Sequence, residues 1–286
     1  MIPTKKINHT AILITHEGQN ILVDCGEGTQ RQFKKAEINP CRLTHLLITH
    51  WHGDHILGIP GLLQTLSLNS YSRTLKIYGP YGTKKHMDQI FSMFLHESEI
   101  KIEVHEIGEL SFESGELRIT SFKMDHGVPC LSYNIEQKAR TKIDMGKLKK
   151  FGLKEGPLVG DLQKGKEVLV NGKKIKPKDV TYQQKGKKIS VIMDTRINEN
   201  CIKAAKDADV LICESTYIKE NQDKAKEYKH LTSEQAGEIA KKSKAKSLYL
   251  THLSQRYEMR ENQILKEAKK KFSKVFLTED LMRIEL

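Results

Sequence analysis

Cysteine is scarce in this sequence, and its placement argues against the usual cysteine-dependent folds. The five cysteines, at positions 25, 41, 130, 201 and 213, are odd in number and widely spaced, and they form no Cys-x-x-Cys pair. A disulfide framework or a zinc ribbon requires closely paired cysteines, so neither is expected. Free, mostly structural thiols in a reduced cytoplasm are the simplest interpretation.

Long apolar runs are also missing. No stretch approaches the roughly 20 apolar residues that a membrane-spanning helix requires, and the opening "MIPTKK" lacks the apolar region of a secretory leader. The 286 residues are 38% hydrophobic and 29% charged, which is typical of a globular protein with a substantial core. We therefore expect a cytoplasmic protein that has no membrane partner.

Acidic residues are few relative to basic ones, and the imbalance is local. The chain has 48 lysines and arginines against 36 acidic residues, and residues 138–188 alone contain 16 basic and 5 acidic residues. This charge predicts a polyanionic partner, with nucleic acid the leading candidate and a solvated lysine-rich loop the alternative. The same segment contains seven glycines and two prolines, which predicts a mobile extension without a packed core.

Strands come in blocks early in the sequence and alternate with amphipathic helices later. This order predicts an α/β layered domain with sheets in the middle and helices outside. The apolar runs predict strands at 11–14, 21–24, 46–49, 75–78, 102–107, 117–122, 131–135, 190–194, 210–214 and 247–251, with a hairpin turn at 17–20. The amphipathic stretches predict helices at 29–36, 58–68, 81–94, 199–208, 232–242 and 261–272.

One stretch, "LLITHWHGDHILGIPGLL" at 46–63, concentrates metal-binding residues. Its ligands, His50, His52, Asp54 and His55, lie within six residues, in a tight loop between a predicted strand and a predicted helix. Imidazole with carboxylate suits Zn²⁺, Fe or Mn²⁺, and the lack of nearby cysteines argues against a purely structural zinc site. Four ligands so close in sequence cannot all reach one tetrahedral ion without strain. Two ions roughly 3.5–4 Å apart would share them.

Three further candidate ligands lie at the ends of apolar runs, as His50 does. Asp194 ends "ISVIMD", His252 ends "SLYLTH", and His126 lies between two strand-like runs. Loops at strand ends are where a sheet can direct several side chains to one point. We therefore expect these residues to complete a two-metal centre.

These motifs resemble those of the metallo-β-lactamase superfamily, whose signature is the run from His50 to His55. Within it the chain resembles the ribonuclease Z family over nearly its whole length, through "PTKKIN" (3–8), "DCGEGTQRQ" (24–32), "GPLVGDLQKG" (156–165), "MDTR" (193–196), "HLT" (230–232) and "THLSQRY" (251–257). The resemblance implies an αββα sandwich, two central sheets flanked by helices, with a protruding basic flexible arm. It implies one domain over 1–286, with the arm inserted at 137–188.

The resemblance also implies a role for each candidate ligand. It predicts two zinc ions per subunit, although Mn²⁺ or Fe²⁺ would accept the same side chains. One ion would be held by His50, His52 and His126, the second by Asp54, His55 and His252, and both by Asp194.

Catalytic and RNA-binding roles follow from the same resemblance. Asp54 would also accept a proton from the attacking water, and His230 would protonate the departing 3′ oxygen, unless it is only a neighbour of a helix cap. Asp24 is expected to support a ligand or form a turn rather than bind metal. Arg196 and Arg256 are candidate phosphate contacts, and either could instead form a structural salt bridge.

The implied partner is precursor tRNA, from which a homodimeric enzyme would remove the 3′ trailer, leaving a tRNA 3′ hydroxyl and a 5′-phosphorylated trailer. The arm, with Gly156 and Pro157, would clamp the tRNA body, and Lys5 and Asn8 would contact RNA. Ile7 departs from the family pattern, which has arginine there, so one RNA contact is not expected.

Other functions share the metal motif. A small-substrate phosphodiesterase or thioesterase would keep its activity after deletion of the arm. An RNA-binding protein with an inactive centre is the alternative from another class, and the presence of Asp194 and His230 argues against it.

Overall fold

The computed structural model describes residues 1–5, 7–94, 100–153, 156–170 and 172–286. The chain forms two units: a main unit, Met1–Ile135 with Lys188–Leu286, and an insert unit, Glu136–Lys187. None of the helices in these ranges has the length and apolar character needed to cross a membrane.

The strands of the main unit form two sheets. In chain order, the strands of the described residues, including those of the insert unit, are β1 (Ile12–His16), β2 (Gln19–Val23), β3 (His45–Leu47), β4 (Thr74–Gly79), β5 (Lys101–Glu106), β6 (Ser111–Ser114), β7 (Leu117–Met124), β8 (Cys130–Gln137), β9 (Arg140–Ile143), β10 (Val168–Val170), β11 (Lys173–Ile175), β12 (Thr181–Gln184), β13 (Lys188–Ile192), β14 (Val210–Glu214), β15 (Leu248–Thr251) and β16 (Val275–Leu277). One sheet has the order β1-β2-β3-β4-β5, and the other has the order β16-β15-β14-β13-β8-β7-β6.

Helices connect many of these strands. They are α1 (Thr29–Lys35), α2 (Gly53–Ile56), α3 (Ile59–Leu68), α4 (Thr83–Phe94), α5 (Met145–Lys150), α6 (Pro157–Gln163), α7 (Pro177–Val180), α8 (Glu199–Ala205), α9 (Gln222–Glu227), α10 (Ser233–Lys242) and α11 (Glu261–Lys269). Short 3₁₀ turns lie at Pro40–Arg42, Lys219–Asn221 and Gln255–Tyr257.

Three buried apolar clusters give the main unit four layers. Leu47 of β3 packs between the sheets with Val191 of β13, whereas the adjacent Leu46 packs on the opposite face with Leu63 of α3. A third cluster joins the second sheet to α8, α10 and α11. Strands buried on both faces read as continuous apolar runs, which is why the sequence has "LLI" here and not an alternating pattern. The predicted αββα sandwich is confirmed.

Parallel pairing brings the ends of the strands together. Strands β2 to β5 are parallel neighbours, and so are β13 to β16. Asp24 follows β2, Asp194 follows β13, Glu214 ends β14 and His252 follows β15. Polar side chains therefore collect at the carboxyl ends of both sheets.

Most predicted elements of the main unit are confirmed, including the hairpin, in which His16 pairs with Gln19. The ligand loop differs, because Asp54 and His55 lie in the one-turn helix α2. Backbone hydrogen bonds from Cys25 to His55 and from Gly58 to Cys25 hold that turn against the end of β2. Strands β6 and β16 were not predicted, since each is short and is held mainly by its neighbour.

The insert unit contradicts the expectation that residues 138–188 lack a packed core. Six apolar side chains are buried together: Leu148, Leu153, Leu162, Val168, Ile175 and Val180. The glycines do not interrupt this cluster, because Gly152, Gly165 and Gly172 lie at turns with φ of +72°, +88° and +74°. Whether the unit protrudes, moves and clamps RNA stays a prediction.

Candidate metal centre

Seven predicted ligands converge at the carboxyl ends of the two sheets. They fall, with His230, into overlapping groups whose possible ligand atoms lie within 4.8 Å of one another: His50, His52, His126 and Asp194; Asp54, His55 and His252; and Asp194, His230 and His252. The structure thus brings together every ligand that the sequence predicted, and it places His230 at the same point.

Ring nitrogens face one another inside the first group. His52 Nδ1 lies 3.1 Å from His50 Nε2 and 3.2 Å from His126 Nε2. Ring nitrogens also face one another in the second group, where His55 Nε2 lies 3.2 Å from His252 Nε2. Nitrogen lone pairs at these separations need a shared proton or a cation between them.

The outer nitrogens of His50 and His55 are held by one carboxylate. His55 Nδ1 donates to Asp24 Oδ2 at 2.7 Å. Thr49 Oγ1 donates to the same carboxylate at 2.8 Å, so it accepts from His50 Nδ1 at 3.0 Å. Both Nε2 atoms are therefore directed inward. Asp24, as expected, supports ligands and does not itself belong to a ligand group.

Two further imidazoles are held in the same way. His126 Nδ1 donates to the Lys229 carbonyl at 3.1 Å. Thr216 Oγ1 donates to Glu214 Oε2 at 2.6 Å and accepts from His252 Nδ1 at 3.0 Å. Outer partners of this kind fix the tautomer of a metal-binding histidine and raise its basicity.

Asp194 lies between the two groups. One carboxylate oxygen is 3.5 Å from His50 Nε2, and the other is 3.3 Å from His252 Nε2. The latter oxygen, Oδ1, is buried and has no hydrogen-bond partner within the described residues, a costly arrangement unless a cation lies beside it. Burial would raise the pKa of Asp194, but the histidine charges around it outweigh burial and lower that pKa well below its usual value.

The histidine pKa values agree with a cation site. Burial lowers the pKa of His50 to about 2, so its imidazole is neutral and available as a ligand. Burial also lowers the pKa of His55, but the Asp194 and Asp24 carboxylates outweigh it and hold that pKa well above its usual value. A metal ion would supply the positive charge that these carboxylates favour. The side chains therefore fit a divalent metal.

His230 is oriented by a residue that the sequence reasoning missed. Its Nδ1 donates to Glu214, 3.1 Å from Oε2, and lies 3.9 Å from Asp194 Oδ2. Burial lowers the pKa of His230, but the Glu214 carboxylate outweighs burial and raises it to about 9. The signal for Glu214 was present, because it ends the apolar run "VLICE" as Asp194 ends "ISVIMD".

The two candidate phosphate contacts have different neighbours. Arg196 forms a salt bridge with Asp125, in which Nη2 lies 2.5 Å from Oδ2. This is the structural alternative that the sequence left open for Arg196. Arg256 is exposed and lies over the Tyr217 ring, 5.4 Å from its centroid. The Tyr217 ring in turn lies 6.1 Å from the His230 ring.

The remaining predicted RNA contacts lie in two places. Lys5 is exposed, and the Asn8 backbone N donates to Asp280 at 3.1 Å, while the residue at position 6 of the same motif lies outside the described residues. At the start of the chain, the Met1 amino group pairs with Asp54. Gly156 and Pro157 belong to the insert unit, where they begin α6.

Asp125 connects three loops of the centre. It pairs with Arg196, two residues after Asp194, and with Lys229 Nζ at 3.0 Å. Lys229 Nζ also donates to the His126 carbonyl at 3.2 Å, while its own carbonyl accepts from His126. The hydrogen bond from Lys229 is the main reason that the pKa of Asp125 lies below its usual value.

We expect the Asp125→Asn substitution to weaken divalent metal binding about tenfold, as loss of a group that orients ligands does. Stability should fall by less than about 1 kcal/mol, since both ion pairs are solvent-accessible. Metal titration and thermal unfolding measure the two effects. Glu199→Gln, which removes the exposed pair with Lys203, is the control. An affinity equal to that of the control would contradict the connecting role of Asp125.

Comparison with known proteins agrees with this geometry. The family profile of the metallo-β-lactamase superfamily matches residues 5–140. Ribonuclease Z of Methanothermobacter thermautotrophicus is 40% identical over 287 residues, which cover 100% of this chain and 93% of that protein. Ribonuclease Z of Chlamydia muridarum is 38% identical over 286 residues, which cover 99% of this chain and 93% of that protein.

Solved structures give the same result. The crystal structure of human tRNase Z, short form, superimposes with a TM-score of 0.72 at 28% identity, covering 100% of this chain and 95% of that one. The fold, the convergent histidines and aspartates and the full-length similarity agree. The chain belongs to the ribonuclease Z family of the metallo-β-lactamase superfamily.

Proposed function

We propose that this chain is a metal-dependent endoribonuclease that removes 3′ trailers from precursor tRNA, leaving a tRNA 3′ hydroxyl and a 5′-phosphorylated trailer. The observation that carries the proposal is the shared position of Asp194 between two ligand groups, with His230 3.9 Å from the same carboxylate. Two cation sites beside one proton donor suit hydrolysis of a phosphodiester. The relatives named ribonuclease Z support RNA as the substrate.

The centre would hold two zinc ions, and Mn²⁺ or Fe²⁺ would accept the same donors. His50, His52 and His126 would bind one ion, Asp54, His55 and His252 the other, and Asp194 both. When bound, the ions lower the pKa of a water molecule and offset charge on the phosphoryl oxygens.

Two side chains would handle protons. Burial would raise the pKa of Asp54, but hydrogen bonds from His252 and His55 outweigh it, so the carboxylate is ionised and can orient and accept from an attacking water. His230, held cationic by Glu214, would donate its proton to the departing 3′ oxygen. Its side chain is 14% exposed, which leaves a path to substrate.

RNA binding would be largely electrostatic. Lys5, Asn8, Arg196 and Arg256 would contact substrate near the metal centre, and Arg196 would exchange Asp125 for phosphate. The insert unit, which contains 15 of the 16 basic residues of 138–188 and the "GPLVGDLQKG" motif, would hold the tRNA body. Phosphate contacts of this kind are independent of sequence and weaken with salt.

The proposed enzyme is a homodimer located in the cytoplasm. The helix layer over the first sheet exposes the large apolar side chains Leu57, Leu68 and Met93, which are 56%, 87% and 66% exposed, and Tyr81, in the turn before α4, is 66% exposed. Such a surface suits a homodimer interface. All five cysteines are free thiols, which suits the cytoplasm.

Cleavage of a 3′-extended precursor tRNA, with the product ends mapped, tests the proposed function. The full chain is compared with one lacking residues 146–178, which keeps the paired strands β9 and β12. We expect a cut just after the discriminator base, and a loss of at least about tenfold in kcat/KM on deletion, because the deletion removes lysines that bind phosphate. Turnover of a simple phosphodiester or thioester by both proteins, with no RNA cleavage, would support the small-substrate alternative.

A further inference from the structure

A second concentration of lysines lies in the main unit. Residues 203–209, 241–247 and 269–274, which we name the basic edge, contain ten lysines and two acidic residues, a net charge of +8. Residues 138–188 carry +11 and the whole chain carries +12, so all other residues together carry −7. The lysines are therefore concentrated in two places, and a uniformly lysine-rich surface does not account for them.

The three segments are adjacent in space. They lead into the parallel strands β14, β15 and β16, which begin at the same edge of the sheet. Lys246 N donates to the Ala208 carbonyl at 2.8 Å, and Leu248 N donates to the Lys274 carbonyl at 3.0 Å. The basic edge is thus one continuous surface.

Acidic side chains compensate only part of this surface. Asp209, one of the two acidic residues of the basic edge, is buried and pairs with Lys246 Nζ at 2.6 Å. Lys203 pairs with Glu199 at 3.7 Å. Lys242 lies 3.8 Å from Glu238 of α10, and Lys271 lies 3.1 Å from Glu234 of the same helix. Clustered like charges repel one another, so the surplus of positive charge favours a bound polyanion. The exposed lysines of the basic edge outside these pairs include Lys206, Lys244, Lys270 and Lys274.

The basic edge lies at the opposite end of the sheet from the metal centre. Asp194 and His252 follow β13 and β15, and Glu214 ends β14, whereas the basic edge precedes β14 to β16. A five-residue strand such as β14 spans about 17 Å at roughly 3.3 Å per residue. An anion bound at the basic edge therefore cannot be the phosphodiester that is cleaved.

We propose that the basic edge binds the phosphate backbone of the RNA substrate at a point remote from the scissile bond. The inference rests on the proposed function. Lysine contacts phosphate as a point charge and reads no base, so the contact is independent of sequence. An anionic membrane fits less well, because attachment by basic residues needs a second, apolar anchor. The three segments, all of them described by the structure, expose no large apolar side chain.

The test combines four substitutions at the basic edge, Lys206→Gln, Lys244→Gln, Lys270→Gln and Lys274→Gln. Lys246 is retained because it pairs with buried Asp209. The matched control removes four exposed lysines elsewhere in the main unit, by Lys76→Gln, Lys84→Gln, Lys85→Gln and Lys101→Gln. Both proteins are compared with the native chain for precursor-tRNA cleavage over a salt series. Hydrolysis of bis(p-nitrophenyl) phosphate and thermal unfolding report on the centre and the fold.

We expect KM for precursor tRNA to rise about tenfold at low salt in the basic-edge variant, and its salt slope to fall by about 0.9 for each phosphate that the variant no longer neutralises. The kcat for RNA and the hydrolysis of the small phosphodiester should match the native values. A change no larger than that of the control, in a native chain that cleaves precursor tRNA, would overturn this inference alone. Binding of the native chain and the variants to phosphatidylserine vesicles is measured alongside. A basic-edge variant that binds these vesicles more weakly but cleaves precursor tRNA normally would also overturn the inference. A native chain without RNA cleavage would overturn the proposed function as well.

Discussion

The Asp194→Asn protein is expected to lose at least about a thousandfold in kcat for precursor-tRNA cleavage. One oxygen of Asp194 lies beside His50 and the other beside His252, so the carboxylate faces both ligand groups. The neutral amide removes the charge that favours both cations, and it turns an N–H donor toward imidazole nitrogens. Metal ions contribute several kcal/mol to such reactions, at about 1.4 kcal/mol for each factor of ten.

The control for this substitution is Asp209→Asn. Asp209 is also a buried carboxylate, but it lies before β14, at the other end of the sheet. We expect the Asp209→Asn protein to have a lower free energy of unfolding than the native chain. Its folded fraction should cleave precursor tRNA with the native kcat. Metal content, measured alongside kcat, should fall only in the Asp194→Asn protein. Full metal content with undiminished cleavage in that protein would contradict the shared position of Asp194.

The His230→Ala protein is expected to lose about 10²- to 10⁴-fold in kcat, the usual contribution of a positioned acid. Its metal content should stay at the native level, because the role assigned to His230 is proton donation. This readout is decisive, since His230 also lies within ligand distance of Asp194 and His252. A variant that loses metal in parallel with activity would show that His230 is a ligand.

The pH profile gives a second measure of the same pair. The Glu214 carboxylate raises the pKa of His230 to about 9, so the acid is protonated at neutral pH and its contribution is lost as pH rises through that value. In Glu214→Gln the burial that lowers this pKa is no longer opposed by the Glu214 charge. The alkaline limb of kcat should therefore move to lower pH, with a larger share of native activity retained under acidic than under alkaline conditions. If the alkaline limb of the kcat profile stays at the same pH in Glu214→Gln, Glu214 does not set the pKa of the catalytic acid.

The metal centre could be predicted in large part because strand ends are visible in sequence. Apolar runs that stop at Asp194 and His252 become parallel strands, and parallel strands end at one edge. Glu214 obeys the same rule and was missed, because it belongs to no recognised motif and gave no chemical reason to single it out. Asp125 could not be found at all, since its partners Arg196 and Lys229 come from loops that are distant in sequence, and only the packed fold brings them together.

The insert unit shows the opposite limit of sequence reasoning. Its glycines indicated turns correctly, but most of the apolar residues that form its core come singly in the sequence, as Leu148, Leu153 and Leu162 do. Single apolar residues between glycines give no periodic pattern, so the small core that they form could not be recognised until helices and strands placed them side by side. The basic charge of the segment was visible, because charge is counted without knowledge of the fold.

Metal analysis of the purified chain, followed by chelation and stepwise addition of metal, tests whether the chain carries a two-metal catalytic centre. We predict two divalent ions per chain, and precursor-tRNA cleavage that is lost on chelation and fully recovered only after the second equivalent of metal is added. A chain that keeps less than one ion and still cleaves precursor tRNA at the native rate would contradict this prediction.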